Sequence, residues 1–113
     1  MPHCVIEYSS PLENQVSEKQ LMDLVFEGAV NSQLFDVNSI KCRVIGYQSY
    51  LSKAEESNFI HITIRILAGR TIEQKSTLSQ CVIQNLAGIG LKDISMTVDI
   101  CDIETQCYGK LIA

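Results

Sequence analysis

The chain lacks an excess of positive charge. Nine lysines and arginines stand against thirteen aspartates and glutamates, and the formal charge is -4. General nucleic-acid binding therefore has no electrostatic support. No apolar run is long enough to cross a bilayer. The start has no basic region followed by an apolar one, so no signal peptide is expected and a cytoplasmic protein is. The five cysteines, Cys4, Cys42, Cys81, Cys101 and Cys107, are odd in number and contain no C-x-x-C pair. Cys101 and Cys107 are the nearest pair and have no histidine close in sequence. That pattern argues against a zinc site and for free, mostly buried thiols in a reducing compartment. No metal and no cofactor is expected.

What is present fits one globular domain over residues 1–113, with room for a modest core. Pro2-His3-Cys4-Val5-Ile6-Glu7-Tyr8 reads as a buried strand. Alternation puts Pro2, Cys4, Ile6 and Tyr8 on one face and His3, Val5 and Glu7 on the other. Ser17 through Gln20 reads as a capping box. Leu21, Leu24, Val25, Gly28 and Ala29 follow on one helical face, with Gly28 expected to let that helix lie close to a sheet. The spacing then predicts a strand from Lys41 to about Leu51, with Lys41, Arg43, Ile45 and Tyr47 on one face. Residues 59–66 form the clearest strand: Ile60, Ile62, Ile64 and Ile66 on one face, His61, Thr63 and Arg65 on the other. Thr71 and Gln74 make a second capping box for a helix carrying Leu78, Cys81, Val82 and Leu86 inward, stopped at Gly88 and Gly90. Residues 93–103 alternate as a last strand. The tail, residues 104–113, receives no assignment.

The order is strand, helix, strand, twice, with halves of about 1–58 and 59–113. Two β-α-β units with right-handed crossovers predict an α+β domain: a four-stranded mixed sheet with both helices on one face. The other face would carry His61, Thr63, Arg65, Ser95, Thr97 and Asp99. Self-association would cover it.

Pro2 matters chemically if Met1 is removed. An α-amino group has a pKa of about 7.7–8.0, and burial or a neighbouring cation lowers it. A neutral secondary amine near pH 7 is a good general base, able to move a proton between carbon and oxygen. With Met1 attached, the same nitrogen is an amide and cannot act this way.

The Met1-Pro2-His3 opening, the Lys41-Cys42-Arg43-Val44 segment and the run from His61 to Arg70 together resemble the 5-carboxymethyl-2-hydroxymuconate isomerase family of the tautomerase superfamily. That superfamily includes 4-oxalocrotonate tautomerase and macrophage migration inhibitory factor. The resemblance runs from Pro2 to about Ile103. It implies a homotrimer with helices outside and sheets facing the centre. It also implies a cofactor-independent isomerase that shifts a proton in an unsaturated di- or tricarboxylic 2-oxo acid, with Pro2 as catalytic base. Arg70 matches a family active-site arginine in the Gly69-Arg70 turn. Lys41 stands where the family has another arginine, and Arg43 lies two residues on along the same face. Lysine offers a carboxylate a point charge where arginine offers a planar fork. A tryptophan common near this strand in the family is missing. The expected substrate-binding residues are thus Arg70, Lys41 and Arg43, and the partner is a small carboxylate.

His3, beside Pro2 but on the opposite strand face, is expected to point away from the reaction centre. His61 and Glu7 are expected to be structural. The competing reading is a catalytically inactive trimeric scaffold or small-acid binding module on the same fold. A ferredoxin-like regulatory domain is a further alternative.

Overall fold

In the computed structural model, which describes residues 1–113, the six main elements fall in the expected order. Strand β1 is His3–Ser9, helix α1 Glu18–Asn31 and strand β2 Lys41–Tyr47; strand β3 is Asn58–Leu67, helix α2 Ile72–Ala87 and strand β4 Ile94–Ile103. The sheet order is β2-β1-β3-β4. β1 runs parallel to β2 and antiparallel to β3, and β3 runs parallel to β4. Each half is therefore one β-α-β unit, and the two meet antiparallel along β1 and β3.

Period-two alternation explains the core. Cys4, Ile6, Ile60, Ile62, Ile64 and Ile66 are wholly shielded from solvent, as are Leu21, Val25, Leu78, Val82 and Leu86 on the helices. Register places Ile6 opposite Ile62 and Cys4 opposite Ile64, so β1 and β3 share one apolar face. Stiff, β-branched isoleucine suits that pleated surface. Thr71 and Gln74 form the full reciprocal capping box at α2. At α1 only half forms: Ser17 Oγ accepts from the Gln20 amide at 3.0 Å.

Three expectations are adjusted. β2 ends at Tyr47, short of Leu51, because its only partner, β1, ends opposite it at Ser9. A ladder stops where the neighbouring strand stops. The close approach at Gly28 is between helices, not between helix and sheet. A Cβ there would lie 2.8 Å from the Val82 Cα. Leu24 and Cys81 are only partly buried, at the margins of the stripes assigned to them.

The sheet face away from the helices has no second layer. His61 and Thr63 are half-buried, and Arg65, Thr97 and Asp99 are exposed. Ile45 on the same face is 49% exposed. No helix is long and apolar enough to cross a membrane.

Candidate active site

The site grows from the start of β1. Pro2 is buried, while Met1 and His3 on either side are half-buried. The Lys41 amide donates to the Pro2 carbonyl at 3.0 Å, the first rung between β1 and β2. This rung holds Pro2 at the corner where β2 begins. Its nitrogen is in the peptide bond to Met1.

Met1 itself is held at three atoms. Its amine donates to the Ser39 carbonyl at 3.1 Å. Its carbonyl accepts from Ser39 Oγ at 3.3 Å. Its Sδ accepts from the Tyr108 hydroxyl at 2.9 Å. Burial pushes the amine's pKa below the ordinary 8.0, and Lys41 and Lys110 push it further the same way. Asp36 opposes them. An amine at this corner is thus biased toward its neutral form.

His3 opens the other face. Arg43 Nη1 lies 3.2 Å from His3 Nδ1, and His3 Nε2 lies 3.0 Å from the Tyr108 hydroxyl. The two rings meet edge-on, with centroids 6.3 Å apart. Burial lowers the His3 pKa first, and Arg43, Lys41, the chain amine and Arg65 add to it. A neutral imidazole results. His3 does lie on the face opposite Cys4, as alternation requires, yet it reaches the Met1 corner through Tyr108.

Tyr108 was not visible to sequence reasoning. It lies just past a short 3-10 turn, Thr105–Cys107, in the tail. No local pattern marks it, because its contacts span 105 and 107 residues of chain.

Arg70 is positioned differently. Its Nη2 donates to the Leu34 carbonyl at 2.7 Å, and its guanidinium lies 5.5 Å from the Phe35 ring centroid. It therefore braces the connection between α1 and β2. One hydrogen bond leaves most of the five guanidinium donors uncommitted. Lys41 and Arg43 are exposed at the start of β2.

The single chain does not enclose these groups in a pocket. Its two concavities lie elsewhere. One of about 210 Å³ sits at the start of β3, lined by Ser52, Glu56, Ser57, Asn58, Phe59 and Ser95. One of about 340 Å³ lies between the end of α1 and α2. Neither contains Pro2, Lys41, Arg43 or Arg70.

Cys4 and Cys42 are register partners on β1 and β2. The Cys42 sulfur beside it and burial push the Cys4 thiol up, so it stays protonated. All five cysteines are free. No three His, Cys, Asp or Glu side chains gather as metal ligands.

The family model described as 5-carboxymethyl-2-hydroxymuconate isomerase matches residues 2–100. No curated protein matches the chain by sequence. Among solved structures, a 5-carboxymethyl-2-hydroxymuconate delta-isomerase superposes with a TM-score of 0.82 at 15% identity, covering 100% of this chain and 89% of its own. A 5-carboxymethyl-2-hydroxymuconate isomerase from Deinococcus radiodurans R1 gives 0.77 at 22%, covering 97% and 88%. A fused 4-OT described as a wild type symmetric trimer gives 0.75 at 18%, covering 96% and 90%. At these identities the structural likeness establishes a shared tautomerase-like fold.

Proposed function

Because the chain belongs to the 5-carboxymethyl-2-hydroxymuconate isomerase family, we propose that it is a cofactor-independent isomerase of unsaturated 2-oxo or 2-hydroxy di- or tricarboxylic acids. Pro2, freed of Met1, is the general base. The observation that carries this reading is the environment of the chain's start. Pro2 is buried, and burial, Lys41 and Lys110 disfavour a charged amine beside it. A secondary amine exposed there would be biased toward its neutral form, the form that accepts a proton.

The chemistry then follows simply. The Pro2 nitrogen takes a proton from the carbon α to the carbonyl. The C–H electron pair forms a new C=C bond, and charge moves to the carbonyl oxygen as a dienolate. Lys41 and Arg43 stabilise that charge, an electrostatic effect that needs no rearrangement during reaction. Arg70 holds a substrate carboxylate with its uncommitted donors. The proton returns to a different carbon, and Pro2 is neutral again.

The substrate site is completed by a second copy. The exposed sheet face needs a partner, and the fused 4-OT relative of the same fold is a trimer. A homotrimer with sheets facing its centre covers that face and walls in the Pro2 corner.

The test uses protein whose Met1 is shown absent by mass spectrometry. The processed protein is expected to ketonise or isomerise 2-hydroxymuconate-like acids, followed by ultraviolet absorbance. Acetylating the Pro2 nitrogen, which turns the amine into an amide, is expected to lose about a hundredfold or more in kcat, the lower range for loss of a positioned base. Unchanged turnover after that acetylation refutes the role.

A specific observation favours a second reading, the inactive trimeric scaffold or small-acid binding module. Met1 is fastened by Ser39 and Tyr108 at its amine, carbonyl and sulfur. If mass spectrometry of protein from its native cells finds Met1 retained, this second reading replaces the first.

A further inference from the structure

The hydrogen-bond chain Arg43–His3–Tyr108–Met1 has a fixed direction. Arginine can only donate. The Arg43 guanidinium, 3.2 Å from His3 Nδ1, therefore makes that nitrogen the acceptor. In a neutral ring the proton then resides on Nε2. Nε2–H donates to the Tyr108 oxygen at 3.0 Å. With its oxygen accepting, the Tyr108 hydroxyl turns its own proton outward, onto Met1 Sδ at 2.9 Å. A thioether is a weak acceptor. The position it fills is vacated when Met1 leaves, and Met1 is the residue bonded to the nitrogen that becomes the base.

We propose that Tyr108 is the donor that binds the substrate's carbonyl oxygen in the place Met1 Sδ occupies, and that His3 and Arg43 position it. This rests on the isomerase reading above. As Pro2 removes the proton from carbon, the C=O oxygen gains charge. The Tyr108 O–H stabilises it by hydrogen bonding and keeps its proton throughout, so nothing is oxidised or reduced. An oxyanion is a far better acceptor than the ketone that precedes it, so the contact strengthens as the reaction proceeds. Arg43 thus acts twice: directly as a nearby cation, and indirectly by fixing the His3 tautomer. The tail residue, absent from any local motif, becomes part of the site.

The experiment compares Tyr108→Phe with the parent, both freed of Met1 and both checked for an unchanged melting temperature. Tyr108→Phe is expected to lower kcat by about a hundredfold, the scale for removing one oxyanion donor, with KM little changed. His3→Gln, whose amide can still donate to Tyr108, is expected to keep most of the activity that His3→Ala loses. A merely structural histidine would not show that rescue. A second readout is independent of turnover. Oxalate, a planar mimic of the dienolate end, is expected to perturb the tyrosine absorbance of the processed parent but not that of Tyr108→Phe.

Tyr108→Phe turnover within about twofold of the parent, small against the oxyanion-donor scale, overturns the inference and leaves Pro2 chemistry standing. Loss in Tyr108→Phe, with turnover that survives acetylation of the Pro2 nitrogen, supports Tyr108 and removes the base. If the processed parent turns over no acid, oxalate decides. A Tyr108-dependent perturbation supports the donor, and its absence overturns it.

Discussion

The two halves of the molecule share a layout and differ in what they do with it. In both, a strand leads to a capped helix and returns to a parallel strand. Yet only the first half sets two cations, Lys41 and Arg43, on the strand beside its first. There His3 is registered with Lys41 and Val5 with Arg43. The matching positions of the second half pair Phe59 with Ser95 and His61 with Thr97. β1 begins at the chain's start, so removing one residue can expose a basic nitrogen. β3 begins in mid-chain, and the Asn58 amide is already spent on the Asp93 carbonyl at 3.2 Å. The second half instead carries the unbroken isoleucine row and the complete capping box. Duplicated architecture therefore does not imply duplicated chemistry.

The contrast can be broken most forcefully in the shared core. Ile6 and Ile62 face each other across β1 and β3, and both are fully buried. Each Ile→Ala change is expected to destabilise by about 2–5 kcal/mol, measured by urea denaturation. Near-equal values would show that the halves contribute alike to the fold while differing in function. A cost below about 1 kcal/mol at either position contradicts the shared core.

Next comes the contact between the halves. Gly28→Ala places a methyl group 2.8 Å from the Val82 backbone. Forcing α1 from α2 is expected to cost about 1–3 kcal/mol in the same assay, although alanine is the better helix former. A stabilised variant would mean the helices separate freely there.

The caps give a smaller difference. Thr71→Ala removes the reciprocal box of α2 and is expected to cost about 1 kcal/mol, with Ser17→Ala costing less. The reverse ranking would show that the half-formed cap of α1 carries more than its geometry suggests.

The smallest effect is a pH dependence in the first half. The folded His3 pKa lies below its ordinary 6.5. On acidification through that value, the unfolded chain takes up the proton first, so stability falls as pH falls. The contribution is complete above 6.5 and declines toward the lower folded pKa. The melting temperature is expected to drop between about pH 7 and 5, and to drop less in His3→Gln. Equal slopes would remove His3 as the cause.

Much of the architecture was legible because its causes are local. Alternation separated Cys4 and Ile6 from His3 and Val5, and the Thr71–Gln74 spacing marked the start of α2. The strand end at Tyr47 was not legible, because β1 decides it. The partner of Gly28 was not legible either, because Val82 comes from the other half. Pro2 could be nominated from its place after Met1, and Arg70, Lys41 and Arg43 through the resemblance to the family. The Arg70 contacts with Leu34 and Phe35 could not be foreseen, because they depend on how the α1–β2 connection folds back.

Side-chain periodicity and capping chemistry were sufficient to specify two β-α-β units, since each depends on residues a few positions apart. Which groups converge on the chain's start was decided only by folding. Tyr108 and His3 meet across nearly the full length of the chain, and no pattern within a single element encodes a contact made by bringing both ends of the sequence to one corner of a sheet.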